Sequence, residues 1–291
     1  MSWIIAGDEK NGLLDIYPGA AAAYSLRNLQ GRSGKDSAVV RVRRDNDDAE
    51  QDFTAAEVSD GTLAAWVGAG NDGFVRTWYD QSGNGNDAEQ ATTSTQPRIV
   101  LSGVLEQSQG RPAMLIGGSY LELAIPNLSS SNYFDIWHTC EPVLASQADT
   151  STWGFFSASL EDSTSRYVFG SWATSNTGGE TLGNYFSGNQ RINSSIYSRN
   201  ANTPTLVNIQ CYQSGFKEYI NGSEVAMNLL NGLTLTSDVS PNAILNTNTA
   251  VLGGAPTGPN SLAQEYIIYL SNQSANRAAI EANINAHYSI F

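Results

Sequence analysis

Charge is scarce in this 291-residue chain, where Asp, Glu, Lys and Arg make up only 15% of the residues. Soluble domains carry about 25%, so long solvated helices are not expected. Asn, Ser, Thr, Gln and Gly supply the polarity instead, which favours turns and polar strand faces. Basic residues are the scarcer sign: 15 against 28 acidic, for a net charge of −13. A polyanion is repelled on average, which argues against nucleic acid as a partner. The one basic run, Arg41 to Arg44, is followed at once by "DNDDAE", which cancels its field. That run reads as a solvated strand face and its turn.

Cysteine and histidine are nearly absent, with two of each. Cys140 and Cys211 lie far apart, outside any metal-ligand spacing or C-x-x-C motif. Buried free thiols are the better reading, with a disulfide left open. His138 sits in the apolar run "YFDIWHTC" and His287 near the closing end, so both read as packed or capping side chains. Two histidines make a histidine-based metal site or triad hard to build. No G-x-S-x-G, phosphate-loop or dinucleotide motif occurs.

Long apolar runs are missing as well. No segment is long enough to span a bilayer, so membrane insertion is not expected. "MSWIIAG" lacks the basic start and extended apolar stretch of a secretory signal. The expectation is a protein assembled inside a cell.

What is present is strand after strand. "SAVVRVRR" alternates, with Val40 and Val42 opposed to Arg41 and Arg43. "FVRTWYDQ", "PRIVLSG", "PAMLIGG", "SYLELA", "YFDIWHTCEPVLA", "STWGFFSA", "SRYVFGSW", "PTLVNIQCYQ" and "AQEYIIYL" recur between Gly, Asn or Ser breaks. Asn221-Gly222, between two alternating runs, is the strongest short hairpin signal, because it prefers positive φ at both turn positions. Many short strands at regular spacing predict an all-β, two-sheet antiparallel sandwich. A single domain over 1–291 is expected, since no repeat or linker interrupts the pattern. Helices are expected at three places. The first is "LLDIYPGAAAAYSLRNLQG", with Pro18 early, Ala22, Leu26 and Leu29 on one face and Gly31 at its end. The second is "SDGTLAAWVGAG", where Leu63, Trp66 and Val67 point together and Gly68 and Gly70 stop it. The third is a closing helix capped by Ser274, with Ile280, Ile284 and His287 or Tyr288 on one face.

"WYDQSGNGNDAEQ", Trp78 to Gln90, is dense in carboxylates and amides. Asp80, Asn84 and Asp87 can hold calcium through oxygen, although the spacing is not that of an EF-hand loop. A structural corner is the favoured reading: Gly83 and Gly85 relieve positive-φ strain and Asx side chains cap the turn. Paired carboxylates can run glycoside hydrolysis, and Glu161, Asp162, Glu180 and Glu265 are the candidates. Trp137, Trp153, Trp172, Tyr185 and Tyr197 form the pool of aromatics against which a sugar ring can stack, set against core packing as the alternative.

"AAYSLRNL…VVRVRRDNDDAEQDFTAAEV…VRTWYDQSGNGNDAEQ" resembles the N-terminal half of the catalytic domain of the arabinofuranosidase B family, over roughly the first third of the chain. The resemblance implies a concanavalin A-like jelly roll. Similar sequences, ending in a helix like "QSANRAAIEANINAHY", resemble structural proteins of tailed phages and environmental bacterial proteins with a laminin G-like jelly roll. The catalytic carboxylates implied by the enzyme family do not carry over: Leu182 in "LGNYFSG" and Ala255 in "VLGGAPTG" occupy their places.

The resulting expectation is a non-enzymatic virion protein, a capsid decoration, fibre or tail-associated module. Its partners would be other virion proteins, copies of itself and possible host surface glycans. The alternatives are a secreted or surface glycan-binding module and an arabinofuranosidase-type hydrolase. No cofactor is expected beyond possible calcium. Trp3, Ile4 and Ile5, ahead of the first helix, are candidate anchoring residues, or else a staple onto the protein's own sandwich.

Overall fold

A computed structural model of the chain describes residues 11–116, 118–143, 152–159, 166–173, 180–186, 190–194, 203–212, 215–225, 227–230, 249–253 and 261–291. These form an all-β, antiparallel sandwich with short helices, as the strand pattern predicts. A continuous ladder of 20 strands folds over into two layers.

The first layer centres on Ser261–Tyr269. One edge of that strand pairs with Tyr133–Pro142, which pairs with Thr205–Tyr212 and then Gly215–Ile220. Its other edge takes Ala22–Ser25 and Met114–Ile116. The second layer runs from Glu50–Thr54 through Ala38–Arg44, Gly73–Trp78, Ala88–Glu89 and Tyr120–Ala124 to Thr249–Gly253. It continues through Thr152–Ser159, Arg166–Ala173, Glu180–Phe186, Gln190–Ser194 and Met227–Leu230. Arg98–Leu101 pairs with a strand of each layer and joins them.

Between the layers Trp78 meets Tyr266 edge-on at 5.8 Å, with Tyr24 tilted against it at the same distance. Quadrupolar rings prefer such geometry to a face-to-face stack. All nine residues of Ser261–Tyr269 are buried, because the layer's outer face is covered too. The closing helix, Arg277–Tyr288, lays Ile280, Ile284 and Tyr288 over Trp137, Ile267 and Tyr269. A strand covered on both faces shows no alternation. Asn221 and Gly222 adopt φ of 49° and 78°, as a type I′ hairpin requires.

Three local expectations are corrected. The first helix is four residues long, Leu13–Ile16. Pro18 disfavours the helical region for Tyr17, which turns to φ −120°, ψ 71°. Ala22–Ser25 then extends as a strand, so Ala22, Leu26 and Leu29 do not form a helix face. The closing helix has Asn276, two residues beyond Ser274, at its N-cap position, and no side chain caps it. Arg43 is buried rather than solvated: its guanidinium donates to Gln96 Oε1 and Asp48 Oδ1. The strand pairing is interrupted by register shifts beside Val39 and Arg76, which break strict alternation. The second predicted helix is found at Thr62–Val67, with Leu63 and Val67 buried and Gly68 ending it.

Candidate functional site

The Asp80–Asp87 stretch is a hydrogen-bonded corner that grips the N-terminal segment. Asp80 Oδ1 accepts the Ala23 and Ser82 amides at 2.8 Å each, and Oδ2 accepts Ser82 Oγ and the Asn86 amide. Asn84 Nδ2 donates to the Ala20 and Ala21 carbonyls, and Asp87 Oδ1 accepts the Asp80 amide. Gly83 and Gly85 take φ of 88° and 73°. Both Asp80 oxygens and one Asp87 oxygen are thus engaged by N–H and O–H donors. Among the described residues no group of three or more acidic, His or Cys side chains can hold a metal ion.

Next to Asp80, Gln81 pins the same segment further along. Its Oε1 accepts the Leu29 amide at 2.8 Å, and its Nε2 donates to the Ser25 and Arg27 carbonyls. Arg27 is thereby presented to Glu265 on the central strand. Its Nε lies 2.7 Å from Oε2 and its Nη2 3.0 Å from Oε1. Ser25 Oγ and Tyr288 Oη also donate to Oε2, at 2.8 and 3.1 Å, and Asn283 Oδ1 accepts from Arg27. Burial would lower the Arg27 pKa, but the Glu265 carboxylate carries the net shift upward. Burial, then Glu265, holds the Tyr288 hydroxyl protonated well above its ordinary range. Of the four carboxylate candidates, Glu265 is the one whose side chain is described. It is fully buried with four donors on it.

Glu180 begins the strand that carries Leu182, opposite Ala173 and Ser171 respectively. Glu161, Asp162 and Ala255 lie outside the described residues, as do Tyr197 and the anchoring candidates Trp3, Ile4 and Ile5. Trp137 is fully buried, its ring edge-on to Tyr269 at 5.7 Å, so it offers no face to a sugar. It packs into the apolar cluster that the closing helix covers. Trp153, Trp172 and Tyr185 lie on three consecutive strands of the second layer.

Cys140 and Cys211 are both buried and are not joined by a disulfide. Cys211 pairs with Phe134 and Cys140 with Thr205, so the thiols sit ~20 Å apart along their strands. His138 stacks on Tyr266 at 5.7 Å inside the sandwich, a packing role.

The chain is similar in fold to an arabinofuranosidase. A structure of that enzyme complexed with arabinofuranosyl-α-1,2-xylobiose matches with a TM-score of 0.57 at 17% identity, over 94% of this chain and 65% of that one. A Glu→Gln mutant of GH54 α-L-arabinofuranosidase, soaked with 4-nitrophenyl α-L-arabinofuranoside, gives 0.57 at 16% identity over the same shares. Trypanosoma rangeli sialidase overlaps more loosely, at 0.44 and 13% identity, over 72% of this chain and 31% of its own. This chain therefore spans just under two thirds of the arabinofuranosidase chains. No family profile matches the sequence, and no curated protein matches it significantly. At such identities the likeness establishes the sandwich, not the reaction.

The Arg27–Glu265 cluster was only half legible in sequence. Glu265 stands out as a carboxylate in the apolar run "AQEYIIYL", whereas Arg27 lies in "SLRNL", which carries no signal of its own. Asp135, a second buried carboxylate, also gives no local cue. Its Oδ2 accepts the Gln273 amide at 2.8 Å and Gln210 Nε2 at 3.2 Å, and so holds the entry to the closing helix.

Proposed function

We propose that this chain is a non-enzymatic, glycan-associated sandwich that serves as a structural protein of a tailed-phage particle. It would act as a single domain, as a capsid decoration, fibre or tail-associated module. Its contacts would be with its own copies, with other virion proteins and with host glycans. The observation supporting the non-enzymatic part is the state of Glu265. Glycoside hydrolysis needs one carboxyl free to protonate the leaving group and another free to attack or to activate water. Glu265 has four donors on it and no approach from solvent. Leu182, in the place the enzyme resemblance gives to a carboxylate, adds to this. The resemblance of sequences ending in a closing helix like "QSANRAAIEANINAHY" to tailed-phage structural proteins supports the particle setting.

The arabinofuranosidase-like fold also favours a second reading, a secreted or surface glycan-binding module. Incubation with 4-nitrophenyl α-L-arabinofuranoside and with arabinan should release nothing. Turnover that Glu180→Gln abolishes would replace the proposal with a hydrolase. Mass spectrometry of purified particles decides the setting: the chain should be present at a stoichiometry set by particle symmetry. Its absence from particles would leave the surface-module reading.

A further inference from the structure

Glu50–Thr54 is the last strand of the second layer. It pairs with Ala38–Arg44 on one side and, among the described residues, with no strand on the other. Its first three residues, Glu50, Gln51 and Asp52, are exposed, so the edge is open. We infer that this edge takes up a strand from a partner protein, an extended basic segment with Lys or Arg at every second position. The inference stands whether or not that partner belongs to a particle.

Backbone parity decides which groups are on offer. Arg44 donates its amide to the Ala49 carbonyl at 3.0 Å. Antiparallel pairs alternate between bonded and non-bonded, so Gln51, opposite Val42, also turns its N–H and C=O towards Ala38–Arg44. Glu50 and Asp52 turn theirs outward. The Thr54 amide, next in that row, is already taken by Glu57 Oε2 at 2.8 Å. Two donors and two acceptors at alternate residues thus form a short template for strand addition.

Side chains set the partner's chemistry. An added strand lies about 4.8 Å away, and its residues opposite Glu50 and Asp52 share their face of the sheet. Arg43, across from Glu50, is turned to Gln96 and Asp48, while Arg41 is held bidentate on Asp52. Glu50 is therefore left without a salt bridge among the described residues. Residues 41–60 carry seven carboxylates against three arginines, a field that draws in a cationic strand. The same charge opposes a second copy, because two such edges side by side bring like carboxylates together. Nor can Arg41–Arg44 of another copy serve, since that strand is already paired on both sides.

Amide-resolved NMR titration of the full chain tests this, with an end-blocked peptide alternating Lys and Thr as the probe. The Glu50 and Asp52 amides should shift and gain protection from exchange. An alternating Glu–Thr peptide should leave them unchanged. So should the Lys–Thr peptide N-methylated along its backbone, which keeps the charge but cannot donate to the edge. Glu50→Lys should weaken binding by about fivefold or more, and Glu50→Gln by about twofold. Should Glu50→Lys disturb folding, Glu50→Gln decides. No binding of the Lys–Thr peptide, equal binding of its N-methylated form, or binding unchanged by the Glu50 substitutions overturns the proposal. Broadening of the same amides with protein concentration, in the absence of peptide, also overturns it and assigns the edge to a second copy.

Discussion

Arg27 and Glu265, 238 residues apart in sequence, meet in a bidentate pair inside the protein. The pair ties the N-terminal strand to the central strand beneath the closing helix, with Ser25 and Tyr288 completing the donors. Removing one partner from such a pair leaves a buried, uncompensated charge. Arg27→Met should therefore cost about 3–5 kcal/mol, read as a lower urea midpoint. Arg27→Met combined with Glu265→Gln should recover a large part of that loss, because neither charge then remains. A double mutant as unstable as the sum of the singles would show that the two do not act as a pair.

Asp135 sets the alkaline side of stability. Burial pushes its carboxyl up to about 7, against hydrogen bonds from the Gln273 amide and Gln210 that pull it down. The unfolded value is about 3.9, so the folded state binds the extra proton. This contribution is fully present below about pH 4 and is lost as pH rises through about 7. Asp135→Asn keeps an acceptor for the Gln273 amide and removes the titration. The variant should gain on the order of 2–4 kcal/mol over the parent above about pH 8. Parallel stability–pH curves for the two proteins would refute the assignment.

His287 acts in the opposite sense. Burial, then the nearby Arg27 charge, pushes its imidazole down to about 4, against the opposing pull of Glu265. Its unfolded value is about 6.5. The stability it contributes is present above that value and is lost as pH falls through about 4. His287→Gln should flatten the urea-midpoint curve between those limits and leave neutral-pH stability nearly unchanged.

Asp80 is predicted to be a structural keystone, not a cation ligand. Asp80→Ala strands four donors at the corner and should cost about 2–3 kcal/mol. EDTA should leave the Tm of the parent protein unchanged, measured by calorimetry with and without added calcium. A Tm that drops on chelation and returns with calcium would make the corner a cation site.

The hairpin depends on positive φ at two adjacent positions. Gly222→Ala places a Cβ at φ 78°, a conformation that strains an L side chain, so it should cost about 1 kcal/mol or more in urea unfolding. Asn221→Gly, which keeps the backbone conformation, should cost less despite losing the Asn221 Oδ1 bond to the Leu206 amide.

Much of this protein could be read from local chemistry. The sandwich follows from short apolar runs punctuated by Gly and Asn, and the hairpin from Asn221-Gly222, because turn geometry depends on residues adjacent in the chain. The same holds for the Asp80 corner and for the helix ended by Gly68. A further local signal lies in "TAAE", Thr54 to Glu57, a capping box whose reciprocal bonds start the short helix Ala55–Ser59. Tertiary structure decided what depends on neighbours distant in sequence. Ala22–Ser25 is a strand because Ser261–Tyr269 lies beside it, against an alanine run that reads as helix in isolation. Trp137 is core because the closing helix covers it, and Arg43 is buried because Gln96 and Asp48 receive it. Glu265 is held rather than free because a corner dozens of residues past Arg27 presents that arginine to it. Burial and charge pairing are properties of what packs against a side chain, and the residues flanking it in sequence do not specify that.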